Sequence, residues 1–357
     1  MVYGFIKLDV AKAYDRVSWT YLSHIMLRLG FDETCVRRIM QLVTSVKYSV
    51  RVNDDYTDYI VPQRGLRQGD PLSPYLFIIC TEGVSALINH YKQCGLIDGI
   101  KICQRATVVS HLLFADDSLI FMKITDNSIR HVKALLSEYE YISGQSVNYH
   151  KSEAVLSRNA PEHLIAAFES VLGVKLVQKH CKYLRVPLLL NRKRSDTFQS
   201  LLDKLWSKIQ GWKNRLLSVG GRHTLVTSVL NTIPLYWLSC FSLPDKCLNK
   251  ALLAKQCWRI VNNEHLLVSR LLKAKYFHNC HLLESTVRQN ASHVWQSLRS
   301  AIPVLRYGSL RQTGTSALIW KPTASGNLDI KSSYRVANLL TDSDSQQEEG
   351  SNQITLI

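Results

Sequence analysis

Residues 113–121 read Leu113-Phe114-Ala115-Asp116-Asp117-Ser118-Leu119-Ile120-Phe121, two adjacent aspartates between two apolar runs. Aspartate suits turns because its carboxylate accepts hydrogen bonds from nearby backbone N–H groups, so an Asp-Asp pair alone is ordinary. The flanks change its meaning. Val108 to Phe114 and Leu119 to Met122 are short apolar segments with the length and composition of two hairpin strands. They place both aspartates at the hairpin tip, on a rigid, water-poor scaffold of the kind that holds catalytic carboxylates in place.

A third carboxylate stands at the end of another apolar strand, Phe5-Ile6-Lys7-Leu8-Asp9. Three converging carboxylates repel one another by about 4 kcal/mol per pair at ~4 Å and an effective dielectric near 20. Mg²⁺ relieves that repulsion, since it is a hard cation that takes carboxylate and phosphate oxygens together. Two such ions, roughly 3.5–4 Å apart, activate a 3′-hydroxyl and stabilise a leaving pyrophosphate. The chemistry expected of Asp9, Asp116 and Asp117 is therefore nucleotidyl transfer with two Mg²⁺ ions, Mn²⁺ being the alternative.

Arg64-Gly65-Leu66-Arg67-Gln68-Gly69-Asp70-Pro71-Leu72-Ser73-Pro74 is a glycine- and proline-punctuated loop. Its glycines let backbone approach a ligand closely, and its arginines and glutamine offer planar donors. Pro74 stands where a helix can begin, and an apolar helix is expected from Tyr75 to Ile88. The plainer reading of this loop is a strand-to-helix connector.

Composition narrows the partner. The 357 residues carry 44 Lys and Arg against 28 Asp and Glu, a net charge of +16, which favours a polyanion, nucleic acid first. Hydrophobic residues at 46% and charged residues at 20% exclude a disordered chain for most of the length. No apolar run reaches the ~18 residues that span a bilayer, and Met1 to Lys7 lacks the form of a signal peptide. The nine cysteines are odd in number and form no CxxC, so a reducing compartment, nucleus or cytoplasm, is expected rather than secretion. His278, Cys280 and His281 lack a second half-site for zinc and read as a chance cluster.

Elsewhere Gly30 closes a first helix, Asp32 caps a second through Val46, and Asn53-Asp54-Asp55 turns a hairpin between Tyr48 and Val61. Ile129 to Ile142 is an amphipathic helix stopped by Gly144. This irregular alternation gives an α+β architecture for residues 1–190, an antiparallel sheet with packed helices. Residues 191–245 read as a basic helical domain. Ser195 to Leu217 carries Leu201, Leu202, Leu205, Trp206, Ile209 and Trp212 on one face, and Gly220-Gly221 breaks the helix. Arg192, Lys193, Arg194, Lys204, Lys208, Lys213, Arg215 and Arg222 face only Asp196 and Asp203 in this stretch, either a solvated face or a nucleic-acid surface. Residues 246–340 are expected to be helical with little mutual packing, and 341–357 a disordered polar tail.

Together these segments resemble the reverse transcriptase of plant LINE-type, non-LTR retrotransposons over roughly residues 3–245. Leu8-Asp9-Val10-Ala11-Lys12-Ala13-Tyr14-Asp15-Arg16-Val17-Ser18-Trp19 is similar to the family's first palm motif, which makes Asp9 a metal ligand and Tyr14 the aromatic gate that rejects a 2′-hydroxyl. Without the resemblance Tyr14 reads as a core aromatic. Arg64 to Phe77 looks like the second motif, implying that Gln68 and Gly69 line the nucleotide pocket and that Arg64 and Arg67 contact nucleic acid. Phe114-Ala115-Asp116-Asp117 matches the third. Gly144-Gln145-Ser146-Val147-Asn148-Tyr149-His150-Lys151-Ser152 resembles the next, where Lys151 would act near the departing phosphate or else stand as a surface lysine. Tyr183-Leu184-Arg185-Val186-Pro187-Leu188 is similar to the block before the thumb, with arginine where glycine is usual. The resemblance implies a palm, a thumb carrying Lys204, Lys208, Lys213, Arg215 and Arg222, an RNA template, a DNA primer and deoxynucleoside triphosphates, with no membrane.

The departures count equally. The family's fingers region is missing ahead of Asp9. Two joins, between Cys247 and Asn249 and between Gly308 and Ala317, look compressed, and the Cys/His tail is absent. These expectations describe a decayed copy, or one from which coding sequence was removed. The alternatives are a catalytically silent nucleic-acid-binding remnant and a group II intron maturase relative, the latter disfavoured by the downstream blocks.

Overall fold

Elements follow the chain as β1 (Tyr3–Leu8), α1 (Trp19–Arg28), α2 (Glu33–Thr44), β2 (Arg51–Val52), β3 (Asp55–Tyr56), α3 (Ser73–Gln93), β4 (His111–Phe114), β5 (Asp117–Lys123), α4 (Asp126–Ser143), β6 (Glu153–Leu156), α5 (Glu162–Leu172), β7 (Lys175–Leu176), β8 (Lys182–Tyr183) and β9 (Val186–Pro187). The later ones are α6 (Arg194–Lys213), α7 (Val219–Leu225), α8 (Leu235–Cys240), α9 (Cys247–Asn262), α10 (Leu267–Tyr276), α11 (His293–Ser300), α12 (Ile302–Gly308), β10 (Ser309–Arg311) and β11 (Leu318–Trp320). The structure, a computed structural model, describes residues 1–177, 182–184, 186–188, 194–213, 218–230, 232–242, 247–286, 291–311 and 317–340. They divide into two units, one of Met1–Lys101 with Val108–Leu189, the other of Ile102–Thr107 with the chain from Leu190 onward.

In the first unit the sheet runs β4-β5-β1-β6-β7 with β1 at its centre. β1 pairs antiparallel with β5 from Tyr3–Lys123 to Leu8–Ser118, and with β6 from Gly4–Leu156 to Lys7–Glu153. Successive side chains alternate across a strand. Ile6 and Leu8 therefore enter a core with Met122, Ile120 and Ala154, closed by Leu22 and Met26 of α1, Phe77 and Ile88 of α3, Leu135 and Leu136 of α4, and Phe168 of α5. This is the α+β sheet-and-helix architecture.

Helix ends follow local chemistry. Asp32 accepts from the N–H groups of Thr34 and Cys35 at the start of α2, a cap worth about 1 kcal/mol. Pro74 occupies the first turn of α3, and Gly144 ends α4 in the left-handed conformation (φ 73°). Asn53 and Asp54 both have positive φ and join β2 to β3.

The second unit departs from expectation. Gly220 and Gly221 do not break a helix. They sit in the first turn of α7, where N–H groups lack intrahelical partners in any case, and the Ser218 hydroxyl accepts from Gly221 N at 3.1 Å. On α6 only Leu201 of the apolar face is buried, while Leu202, Trp206 and Ile209 are exposed. The expectation of poorly packed helices after residue 245 is corrected. Leu253, Ala254, Cys257 and Val261 of α9 pack with Trp295, Leu298, Leu305 and Trp320 into one core, where Trp295 and Trp320 are 1% and 0% exposed. Tyr276 stacks on Trp295 with ring centroids 4.5 Å apart, and Trp258 meets Trp320 edge-on at 6.1 Å. Aromatic burial on this scale contributes several kcal/mol and draws together residues that no local pattern connects. The tail expected to be disordered, and Arg185, Arg192, Lys193 and Arg215, lie outside the described residues.

Candidate active site

Phe114 pairs with Asp117, so the turn between β4 and β5 consists of Ala115 and Asp116 alone. The expectation of both aspartates at the tip is thereby refined. Asp116 lies in the turn and is exposed, whereas Asp117 is the first residue of β5 and half-buried. Ala115 has φ +50°, a left-handed conformation that costs a residue with a Cβ about 1–2 kcal/mol and is held by the strands on either side.

Asp9 follows the last β1–β5 pair, Leu8–Ser118, directly. Its backbone is clamped from the segment after α4. Asp9 N donates to Ser152 Oγ at 3.1 Å, and its carbonyl accepts from Asn148 N at 2.8 Å. Ala11 N donates to Ser146 O at 2.8 Å, and the Gln145 side-chain amide donates to Ala13 O at 3.1 Å. Ser152 and Gln145 are buried, so these bonds lie away from competing water.

The loop after Pro62 is stitched to the turn beyond Asp9. Leu66 N donates to Tyr14 O and Gly65 N to Val17 O, each at 2.8 Å, and Trp19 Nε1 donates to Gly65 O at 2.8 Å. Gly65 has φ +94°, and a Cβ there would lie 2.6 Å from Asp15 O, so no other residue fits without displacement. Gln68 Nε2 donates to Asp15 Oδ1 at 3.1 Å.

Together these segments form an open cleft of about 670 Å³ lined by Lys12, Tyr14, Gln68, Gly69, Asp70, Ser73, Pro74 and Asp116, among others. Tyr14 is half-buried and stacks on Phe77, with centroids 4.7 Å apart and planes 11° from parallel. Burial, and then the nearby Asp116 carboxylate, raise its hydroxyl pKa. Arg64 and Arg67 line a neighbouring hollow of about 340 Å³ with Trp19, Tyr48 and Ile60, and Asp70 and Ser73 border both spaces. Lys151 is exposed and is absent from the lining of either space. Lys204, Lys208 and Arg222 are exposed in the second unit, while the side chain of Lys213 lies outside the described residues.

The carboxylates are hard oxygen donors that suit Mg²⁺. Among the described residues, however, no three His, Cys, Asp or Glu side chains are grouped closely enough to hold one ion. Asp117 turns instead toward Lys7, whose Nζ is 3.6 Å from Oδ1.

Sequence reasoning gave no role to Ser152 and Gln145, although both stand in the Gly144–Ser152 motif, and it passed over His111. His111 opens β4 with ring nitrogens 2.8 Å from Ser85 Oγ and 3.0 Å from Ser110 Oγ, and burial, then Lys92, lower its pKa. A histidine heading an apolar run was a readable signal. A small buried serine was not.

A sheet that departs from the expected antiparallel pairing only where β6 meets β7 in parallel, with packed helices and an aspartate turn opening on a cleft, is a polymerase-like α+β arrangement. Residues 2–188 match the family described as reverse transcriptase (RNA-dependent DNA polymerase), and the chain belongs to that family. Within it the chain is a reverse transcriptase of the non-LTR retrotransposon kind. It is 29% identical over 154 residues to a retrovirus-related Pol polyprotein from the type-1 retrotransposable element R2 of Popillia japonica, covering 43% of this chain and 24% of that protein. It is 27% identical over 244 residues to the transposon TX1 uncharacterized 149 kDa protein of Xenopus laevis, covering 67% of this chain and 18% of that one. The chain thus spans a quarter or less of the length of these two relatives. Among solved structures, apo telomerase from Candida tropicalis, truncated from its C-terminal domain, aligns with a TM-score of 0.36 at 18% identity, over 45% of this chain and 32% of that one.

Proposed function

We propose that the first unit extends a DNA primer on an RNA template by nucleotidyl transfer, with Asp9, Asp116 and Asp117 as the carboxylates of the site. The observation that carries this reading is the Asp116 turn opening on the cleft lined by Tyr14, Gln68 and Gly69. Asp9, Asp116 and Asp117 would hold divalent cations, which when bound supply charge neutralisation for the attacking hydroxyl and the leaving pyrophosphate. Tyr14, kept in place by Phe77, would lie beneath the incoming sugar and exclude a 2′-hydroxyl. Gly69 leaves the cleft wall without a side chain, and Gln68, anchored on Asp15, offers its amide to the nucleotide. The exposed lysines of α6, with Arg222, would meet the nucleic-acid backbone, giving salt-sensitive binding.

A second reading, binding without synthesis, draws on the lack of a three-carboxylate group among the described residues. Primer extension on an RNA template, with Asp116→Ala as control, separates the two. Extension that the substitution abolishes supports the enzyme. Salt-sensitive RNA binding with no extension supports the silent reading.

A further inference from the structure

Residues of α9, α10, the turn after α10 and β10 line a cavity of about 400 Å³ in the second unit, within the roughly 300–1,000 Å³ range of small-molecule sites. Part of its lining is apolar, from Ile260 and Phe277 of the second core. The Phe277 ring lies nearly parallel to Trp295, with planes 11° apart and centroids 5.7 Å apart, so its plane is fixed by packing. Two polar atoms on residues of the lining have no partner. Ser269 is 3% exposed with its hydroxyl unpaired, and His278 Nδ1 is buried and unpaired. Buried polar groups are ordinarily paired, so two of them bordering one cavity point to a ligand with polar edges. Two ion pairs complete the lining, Lys273 Nζ to Glu264 Oε1 and Arg311 Nη1 to Glu284 Oε1, each at 3.2 Å. Their charges balance, which suits an uncharged ligand offering donors and acceptors together.

We propose that this cavity binds a guanine base, carried by a free nucleotide or by single-stranded RNA. Guanine is flat and uncharged. Its O6 and N7 accept hydrogen bonds from an arginine fork, and its amino group donates to an acceptor such as a carboxylate. Arg311 and Glu284 supply that donor and that acceptor side by side. His281 adds a second donor, because its Nδ1 accepts from Leu283 N at 3.2 Å and the ring proton therefore sits on Nε2. Ser269 and His278 gain the partner that each lacks, and Phe277 gives the base a flat apolar neighbour. All of these residues belong to the second unit, so the proposal stands apart from the reading of the first.

The test is a titration of the full chain, labelled with ¹⁵N-histidine, using guanosine 5′-monophosphate as the probe. Its binding saturates and shifts the ring resonances of His278. Uridine 5′-monophosphate, which carries the same phosphate, binds about tenfold or more weakly. Arg311→Met removes the guanidinium from a side chain that is 55% exposed, and weakens the guanosine nucleotide by a similar factor. Circular dichroism checks the fold, and Glu284→Gln serves as the second variant if Arg311→Met does not fold. Equal affinity for the two nucleotides overturns the proposal, as does an Arg311→Met chain with unchanged affinity. Binding that moves His111 of the first unit and leaves His278 unshifted also overturns it. The pentanucleotides UUGUU and UUUUU decide the source of the base. Tighter binding of UUGUU than of the mononucleotide supports guanine within RNA, the reverse order supports a free nucleotide, and no preference for UUGUU over UUUUU overturns the RNA form.

Discussion

The two units of this chain carry their imperfections in different currencies. In the first, among the described residues, lie all the non-glycine residues with positive φ: Lys12, Asn53, Asp54, Ala115 and Leu184. Among its described residues, no buried side-chain polar atom lacks a partner. The second reverses this. Its described backbone has no such residue, yet among the described residues it holds every unpartnered buried side-chain polar atom, on Ser269, His278, Ser285, His293, Trp295 and Arg299. Backbone strain at Lys12 and Ala115 borders a cleft, the pattern of a functional site. Unsatisfied polar atoms in a helical core cost about 1–3 kcal/mol each. The first unit is thus strained beside its cleft, and the second is imperfect where it packs.

Experiments that break or sharpen this contrast can be ordered by size. Asp116→Asn should reduce primer extension about 10²- to 10³-fold or more while leaving the thermal melt of the first unit in place, as measured by single-turnover kinetics and calorimetry. A large loss of stability would remove the case for a purely chemical role. Trp320→Ala should cost the second unit about 3–5 kcal/mol, visible as lost hydrogen-exchange protection in α9 and α11 with β1 and β5 still protected. Loss of protection in both units would merge what the contrast separates. Gly65→Ala should destabilise the first unit by roughly 1–3 kcal/mol, read as a lower denaturant midpoint, because its Cβ meets the Asp15 carbonyl at φ +94°. A matched pair gives the finest comparison. Ala115→Gly relieves backbone strain and Ser269→Ala removes a 3%-exposed hydroxyl that lacks a partner, and each should stabilise its unit by up to about 1 kcal/mol. Only the first should alter primer extension.

The sequence disclosed what is encoded locally. The apolar runs around Asp116, the strand leading into Asp9 (observed to end at Leu8), the Asp32 cap, Pro74 at the start of α3 and the Gly144 stop all rest on a few adjacent residues, and all are present in the fold. What depends on distant partners was not legible. Ser152 clamps Asp9 from 143 residues away. The helical core around Trp295 and Trp320 joins segments whose individual patterns are unremarkable, so helices after residue 245 read as isolated when they are not. Lys7 illustrates the same limit within the site. A lysine on a buried strand looks like a solvated interruption until the register of β1 against β5 brings Asp117 within reach.

The central position of β1 also bears on how the chain comes to exist. Its neighbours in the sheet are β5 and β6, and even the nearest pair, Leu8 with Ser118, is separated by 118 − 8 = 110 residues. At ribosomal rates of about 5–20 residues per second, β1 spends roughly 5–20 s of synthesis with both hydrogen-bonding edges open. An apolar strand waiting that long is a target for chaperones and for other nascent chains. The strand that leads into Asp9 is therefore both the axis of the finished sheet and a segment left open during translation.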